Sequence, residues 1–123
     1  MSQVVTMGET MALVKAETPG PLAHTRSLSI GMGGAESNFA IALSRLGVSV
    51  TWAGRVGDDS WGSWCFGSYG PKGSTSTASW TPRRPPLMIK ERRTAEELKV
   101  WYYRSGSAGS RLRPQDVPEE QIR

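Results

Sequence analysis

A glycine-rich turn that leads into a helix is the part of the sequence best suited to bind a ligand. It comprises residues 31–38, Gly-Met-Gly-Gly-Ala-Glu-Ser-Asn. Adjacent glycines allow positive φ angles and let the backbone approach a ligand closely. Free N–H groups at a helix start favour oxygen-rich ligands, so Gly33, Gly34 and Asn38 are candidate ligand-binding residues. The spacing alone favours an ordinary helix entry over a ligand site.

A second group of residues suited to ligand binding lies near the end of the sequence. Residues 101–104 read Trp-Tyr-Tyr-Arg, and a run of Ser, Gly and Ala follows. The planar guanidinium fork of Arg104 is well suited to a carboxylate. The alternative, on the residues alone, is an aromatic strand carrying Tyr102 and Tyr103 that ends in a solvated cation.

Hydrophobic patterning predicts an α/β fold around these two groups. Short apolar runs predict core strands at 4–9 and 48–53, and a helix is predicted at 35–46. Two further strands, at 11–17 and 26–31, precede the glycine turn. This order gives a parallel α/β core with a small projecting β layer. In the helix, Phe39, Leu43 and Leu46, with Ala40 and Ala42 beside them, are expected to form the buried face.

Alternating residues predict a hairpin in the second half of the chain. Its strands are 87–92 and 99–103, joined across Thr-Ala-Glu-Glu at 94–97. We expect this hairpin to join the projecting β layer. Residues 113–120 contain the Pro and acidic residues of a helix entry.

These motifs resemble the N-terminal signature of the ribokinase/PfkB family of carbohydrate kinases. The family has a Gly-Gly turn, an Asn four residues later and small residues at set distances. The matching positions here are Gly33, Gly34, Asn38, Ala40, Gly47 and Gly57. Gly8-Glu9 and residues 54–62 also match family landmarks. The resemblance implies a ribokinase-like fold with a lid formed by strands at about 11–31 and 87–104.

Two departures and one matching segment make the chain similar to the sugar-acid kinases of this family, such as 2-keto-3-deoxygluconate kinases. Glu36 stands where a small residue is usual, and Leu13 stands where many hexose and pentose kinases have an Asp. Losing that carboxylate suits a substrate that is itself an acid, because like charges repel. Residues 102–108 resemble the Tyr-Tyr-Arg and Gly-Ser-Ala segment of those kinases. Six residues are therefore expected to bind a small-molecule sugar acid: Gly33, Gly34, Asn38, Tyr102, Tyr103 and Arg104. The runner-up substrate is a neutral sugar, as in a fructokinase.

At 123 residues the chain is less than half as long as a complete kinase of this family. We expect residues 1–123 to be the N-terminal portion of a sugar-kinase domain. The resemblance implies that ATP and Mg²⁺ serve the complete enzyme, and that a Gly-Ala-Gly-Asp motif in the other half holds the catalytic Asp. No catalytic, cofactor-binding or metal-binding residue is therefore assigned to this sequence, and we expect it to be inactive alone. A lid-mediated homodimer is a further expectation for the full-length form.

Residues 61–86 have an anomalous composition, rich in Gly, Ser, Pro and Trp. They contain no Leu, Ile, Val, Asp or Glu, and this pattern predicts a loop. Lys72, Arg83, Arg84 and Lys90 account for the net charge of +4. A basic segment with interleaved aromatics could bind single-stranded nucleic acid, but no nucleic-acid module is recognisable, so that alternative is disfavoured. A non-catalytic fragment is the other alternative of a different class.

Three features of the sequence bear on the cellular compartment of the protein. Cys65 is the single cysteine, the N-terminus does not resemble a signal peptide, and no apolar run reaches the length of a membrane span. These features predict a cytoplasmic protein. His24 stands alone, and a loop position is expected for it rather than a metal site.

We hypothesise that residues 61–86 come from a shifted reading frame. GC-rich codons for residues 62–86, read one base out of frame, can encode a helix, a glycine and a short β run. That is the order which the family resemblance implies for this position. Resequencing the gene tests the hypothesis: a one-base error is expected, and an unambiguous read of the present frame would contradict it.

Overall fold

The computed structural model describes residues 2–67 and 75–122, and within them the strands form two sheets. The first sheet is parallel, with strand order β1-β4-β5. Its strands are β1 (Val4–Met7), β4 (Val50–Gly57) and β5 (Thr75–Thr81). The central strand β4 is buried along nearly its whole length, as expected for a parallel strand covered on both sides.

The second sheet has four strands in the order β3-β2-β6-β7 and is called the lid sheet below. Its strands are β2 (Met11–Ala16), β3 (Leu28–Gly33), β6 (Leu87–Arg92) and β7 (Leu98–Tyr103). The pairs β2–β3 and β6–β7 are antiparallel, and β2–β6 is parallel. The predicted hairpin and the predicted α/β class are both confirmed.

Three α-helices accompany the sheets in the described residues: α1 (Ala35–Arg45), α2 (Ser60–Gly67) and the short α3 (Glu119–Ile122). Helix α1 packs against β1 and β4. The core between them contains Ala40, Val50, Trp52 and Val56.

The buried face of α1 differs from the predicted one. Ser37 and Ala40 are buried, whereas Phe39 is 51% exposed and Leu46 is 79% exposed. Small side chains at the contact let the helix backbone approach the sheet closely. The helix is therefore rotated so that Ser37 and Ala40, rather than its largest residues, face the sheet. The prediction was wrong for Phe39 and Leu46, and also for Ala42, which is exposed.

The loop predicted over 61–86 is also corrected, because the described part of this range contains a helix and a strand. Helix α2 begins this range, and the Asp59 carboxylate accepts a hydrogen bond of 2.9 Å from the Gly62 N–H, as a helix cap does. Strand β5 then pairs with β4 from Thr51↔Thr75 to Gly57↔Thr81. A core strand with an open edge can recruit a neighbour through backbone hydrogen bonds, which hydrophobic periodicity does not report. Residues 68–74, which include Lys72, lie outside the described residues.

An ion pair joins the C-terminal segment to the parallel sheet. Arg55 on β4 donates from Nε and Nη2 to the two carboxylate oxygens of Asp116, at 2.6 and 3.2 Å. Both side chains are largely buried, with exposures of 14% and 6%. This two-point contact fixes a 3-10 turn at Pro114–Asp116 against β4.

A buried carboxylate organises the side of the lid sheet that carries Trp101 and Tyr103, called the outer face below. Glu91 is only 3% exposed. It accepts hydrogen bonds from Trp101 Nε1 at 2.9 Å, from Arg93 Nε at 2.8 Å and from the Leu22 N–H at 3.3 Å. These bonds, that of Trp101 first, lower the pKa of Glu91 from 4.5 to about 2. Arg93 has its own pKa raised by the same contact.

The stability of the protein should depend on the ionisation of Glu91. Because the folded-state pKa lies below the unfolded one, the contribution is present above pH 4.5 and is lost as the pH falls towards 2. Glu91→Gln should lower stability at neutral pH and flatten its fall between pH 4.5 and 2, as measured by urea unfolding. The exposed Glu96→Gln is the matched control, and equal pH profiles for the two variants would contradict this role.

Candidate functional site

A cavity of about 450 Å³ opens at the junction between the lid sheet and the start of α1. It is lined by five of the six residues predicted to bind substrate: Gly33, Gly34, Asn38, Tyr102 and Arg104. The turn brings three of them from the end of β3, and the end of β7 brings the other two. Residues about 65 positions apart in sequence thus share one site because β2 and β6 pair in the lid sheet.

Tyr103 is the exception, because the structure places it on the outer face. Side chains alternate along a strand, so neighbouring residues of β7 face opposite sides. Tyr102 pairs in register with Met88, which lines the site cavity, whereas Tyr103 pairs with Leu87. Tyr103 lines a different cavity together with Trp101 and Leu22. The grouping of Tyr103 with the other five is therefore corrected.

The two glycines of the turn have different constraints. Gly34 has a φ of +153°, and a Cβ there would lie 2.5 Å from the Glu9 carbonyl oxygen. A side chain at this position would therefore strain the backbone and collide with backbone. A Cβ at Gly33 would meet only the terminal methyl of the Met88 side chain, which is flexible. Gly34 maintains the turn, and Gly33 keeps space open inside the cavity.

Arg104 is held by an ion pair that the sequence did not reveal. Its Nε donates to Glu9 Oε1 at 2.7 Å, and the Ser107 hydroxyl donates to Glu9 Oε2 at 3.0 Å. Glu9 is 13% exposed and Arg104 is 54% exposed. The guanidinium also lies 5.9 Å from the centroid of the Tyr102 ring. Since the ion pair uses Nε, the terminal nitrogens of Arg104 stay available to a ligand carboxylate.

Sequence reasoning missed the roles of Glu9 and Lys90, both of which line the cavity. One signal for Glu9 was its place in the Gly8-Glu9 pair that matches a family landmark. Lys90 shares a side of β6 with Met88, so strand alternation could have identified it. The side of the lid sheet with Leu13, Met88, Lys90 and Tyr102 is called the inner face below.

Within 2–67 and 75–122, no group of three or more His, Cys, Asp or Glu side chains is placed to hold a metal ion. Of the charged groups that line the site cavity, two are carboxylates, of Glu9 and Glu36, and two are cations, of Lys90 and Arg104. No nucleotide site is assigned to this part of the chain. None of the described helices is long and apolar enough to span a membrane.

Comparison with known proteins agrees with the fold. A model of the "pfkB family carbohydrate kinase" family matches residues 1–66. The chain belongs to the pfkB family of carbohydrate kinases. It is 34% identical to a 2-dehydro-3-deoxygluconokinase of Bacillus subtilis, over 94% of this chain and 37% of the relative. It is 31% identical to a probable fructokinase-4 of Arabidopsis thaliana, over 99% of this chain and 38% of the relative.

Solved structures give the same result. A PfkB protein from Polaromonas sp. JS666 superposes with a TM-score of 0.90 at 33% identity, over 99% of this chain and 42% of that chain. A 2-dehydro-3-deoxygluconokinase from Thermotoga maritima superposes with a TM-score of 0.86 at 26% identity, covering 97% of this chain and 37% of that chain. The present chain thus spans about two fifths of the length of these relatives, and its fold is that of the ribokinase-like kinases.

The two glycines give a matched pair of substitutions. Gly34→Ala should lower the free energy of unfolding by about 1–3 kcal/mol, because the backbone is strained and Glu9 cannot move aside. Gly33→Ala should cost less than about 1 kcal/mol, because the Met88 side chain can shift. Urea unfolding measures both, and equal losses would show that the two glycines do not differ in this way.

Proposed function

We propose that the chain supplies the substrate-binding part of an ATP-dependent sugar kinase. The proposed substrate is 2-keto-3-deoxygluconate or a closely related sugar acid. The observation that carries this proposal is the convergence of the glycine turn, Asn38, Tyr102 and Arg104 on one cavity. The similarity to a 2-dehydro-3-deoxygluconokinase supports the same substrate class.

Each lining residue has a chemical role in this proposal. Arg104 pairs its terminal nitrogens with the substrate carboxylate, while Glu9 holds its Nε. The amide of Asn38 and the hydroxyl of Tyr102 bind sugar hydroxyls. Gly33 allows the sugar to lie close to the backbone, and Leu13 forms part of the apolar wall. The Leu13 side chain takes no hydrogen bond, which disfavours a sugar that needs a carboxylate partner there.

Phosphoryl transfer in a complete kinase needs further groups. Family resemblance implies an Asp in a Gly-Ala-Gly-Asp motif as the base that accepts the proton of the substrate hydroxyl. This motif does not occur in the 123 residues. We therefore propose that the present chain binds the sugar acid without phosphorylating it. ATP and Mg²⁺ would act in the complete kinase.

A neutral-sugar kinase is the second candidate. The similarity to a probable fructokinase favours it, and so does the Glu9 carboxylate beside Arg104, which offsets the positive charge. The lid-mediated homodimer stays a prediction, and the exposed Leu28, Ile30 and Tyr103 of the outer face are consistent with it.

The Arg104→Met variant separates the two substrates. The change keeps most of the aliphatic stem and removes the charge. A charge-assisted hydrogen bond is worth roughly 1.5–3 kcal/mol, so binding of 2-keto-3-deoxygluconate should weaken by about ten- to a hundredfold. Binding of fructose should change little. Isothermal titration or NMR titration of the wild-type chain and the variant measures both affinities.

The Arg93→Met variant is the matched control. Arg93 also pairs with a glutamate, but its partner is Glu91 on the outer face. Neither affinity should change in this variant. If Arg104→Met weakens acid and neutral sugar equally, Arg104 supports the lid rather than selecting an acid. If the wild-type chain binds fructose but no sugar acid, the neutral-sugar candidate replaces the first.

A further inference from the structure

The charged groups around the site cavity balance one another. Four of them line it: Glu9, Glu36, Lys90 and Arg104. Arg104 and Glu9 form an ion pair of 2.7 Å, so their charges offset each other locally. The net positive charge of Arg104 is therefore not available in full to an incoming acid. Lys90 is then the cation that offsets Glu36 and can still attract a carboxylate.

The Lys90 ammonium group is in none of the ion pairs found in the part of the chain that the structure describes. Lys90 lies within β6 and is half-buried, and no hydrogen bond or ion pair to its ammonium group is found among those residues. Its register partner on β2 is Lys15, and like charges at directly paired positions repel each other. Arg92 lies two residues further along the same side of β6.

The neighbourhood of Lys90 is more basic than the site cavity alone. Lys90 also lines a second cavity of about 500 Å³ on the inner face, where the other charged groups are Lys15, Glu17 and Arg92. Lys90 is thus shared between the two cavities. A bound anion at Lys90 would relieve its repulsion with Lys15, because it adds an opposite charge between two cations.

We propose that Lys90 is a second residue, besides Arg104, that determines the preference of this site for acids. The inference rests on the proposed function and deepens it. Arg104, oriented by Glu9, positions the substrate carboxylate. Lys90 supplies the positive charge that keeps the cavity from being net negative. Without Lys90, the carboxylates of Glu9 and Glu36 share the cavity with Arg104, which is already paired with Glu9. A sugar carboxylate is then repelled.

Three variants of the whole chain test this inference, with 2-keto-3-deoxygluconate and fructose as the two probes. Lys90→Met should weaken binding of the sugar acid by about tenfold or more and leave fructose binding unchanged. Lys90→Arg should keep most of the affinity for the acid, because the charge is retained. Lys99→Met is the matched control, since Lys99 lies on the outer face with its ammonium 4.1 Å from the Trp101 ring centroid. That variant should bind both probes as the wild-type chain does.

The midpoint of urea unfolding is a second measurement on the Lys90→Met variant. Lys90→Met removes the repulsion with Lys15, so its midpoint of urea unfolding should be no lower than that of the wild-type chain. Loss of acid binding in a stable variant then reports on the site and not on folding.

The outcomes distinguish the two proposals. If the wild-type chain binds the sugar acid and Lys90→Met binds it equally well, this inference is overturned while the proposed function stands. Equal losses for acid and fructose in a stable Lys90→Met variant also overturn it, since Lys90 would then shape the cavity without selecting charge. If the wild-type chain binds no sugar acid, the proposed function fails and this inference fails with it.

Discussion

The Glu9 carboxylate is the contact on which the candidate site depends. Glu9 lies two residues after the end of β1 and receives hydrogen bonds from Arg104 and from Ser107, which lie about 95 residues later. The backbone of the same residue packs against Gly34, where no side chain fits. One residue therefore fixes the glycine turn and the end of β7 relative to each other. The pairing of β3, β2, β6 and β7 in the lid sheet also joins the two halves of the site.

The same contact sets the electrostatics of the cavity. A guanidinium that is already bonded to a carboxylate is well oriented, because one edge of its planar fork is occupied and the other edge has a defined direction. Its charge is partly offset at the same time. Orientation and net charge are thus provided by different residues in this site. This division explains why an arginine in a sequence motif is not by itself enough to define an acid-binding site.

Glu91 and Glu9 show that the burial and the hydrogen-bond partners of a glutamate decide its role. Glu91 on the outer face is almost fully buried and bonded to Trp101, Arg93 and the Leu22 N–H. Its pKa is lowered, and it holds the loop before β3 against the hairpin. Glu9 lies at the edge of a cavity and orients a partly exposed arginine. The first contributes to folding, and the second contributes to the geometry of the site.

The sequence by itself determined the elements that depend on local pattern. The α/β class, the hairpin of β6 and β7, helix α1 and the resemblance to the pfkB family followed from periodicity, glycine spacing and short motifs. Only the tertiary structure decided which side of each element faces the core or the site. Phe39 is exposed because the small Ser37 and Ala40 set the approach of α1 to the sheet. Strand β5 forms because β4 offers it a backbone partner, although its residues carry no hydrophobic pattern. Tyr103 turns away from the cavity and Lys90 joins it because pairing between distant strands fixes which alternate residues share a face. Glu9 joins the cavity from the segment between β1 and β2, where it pairs with Arg104.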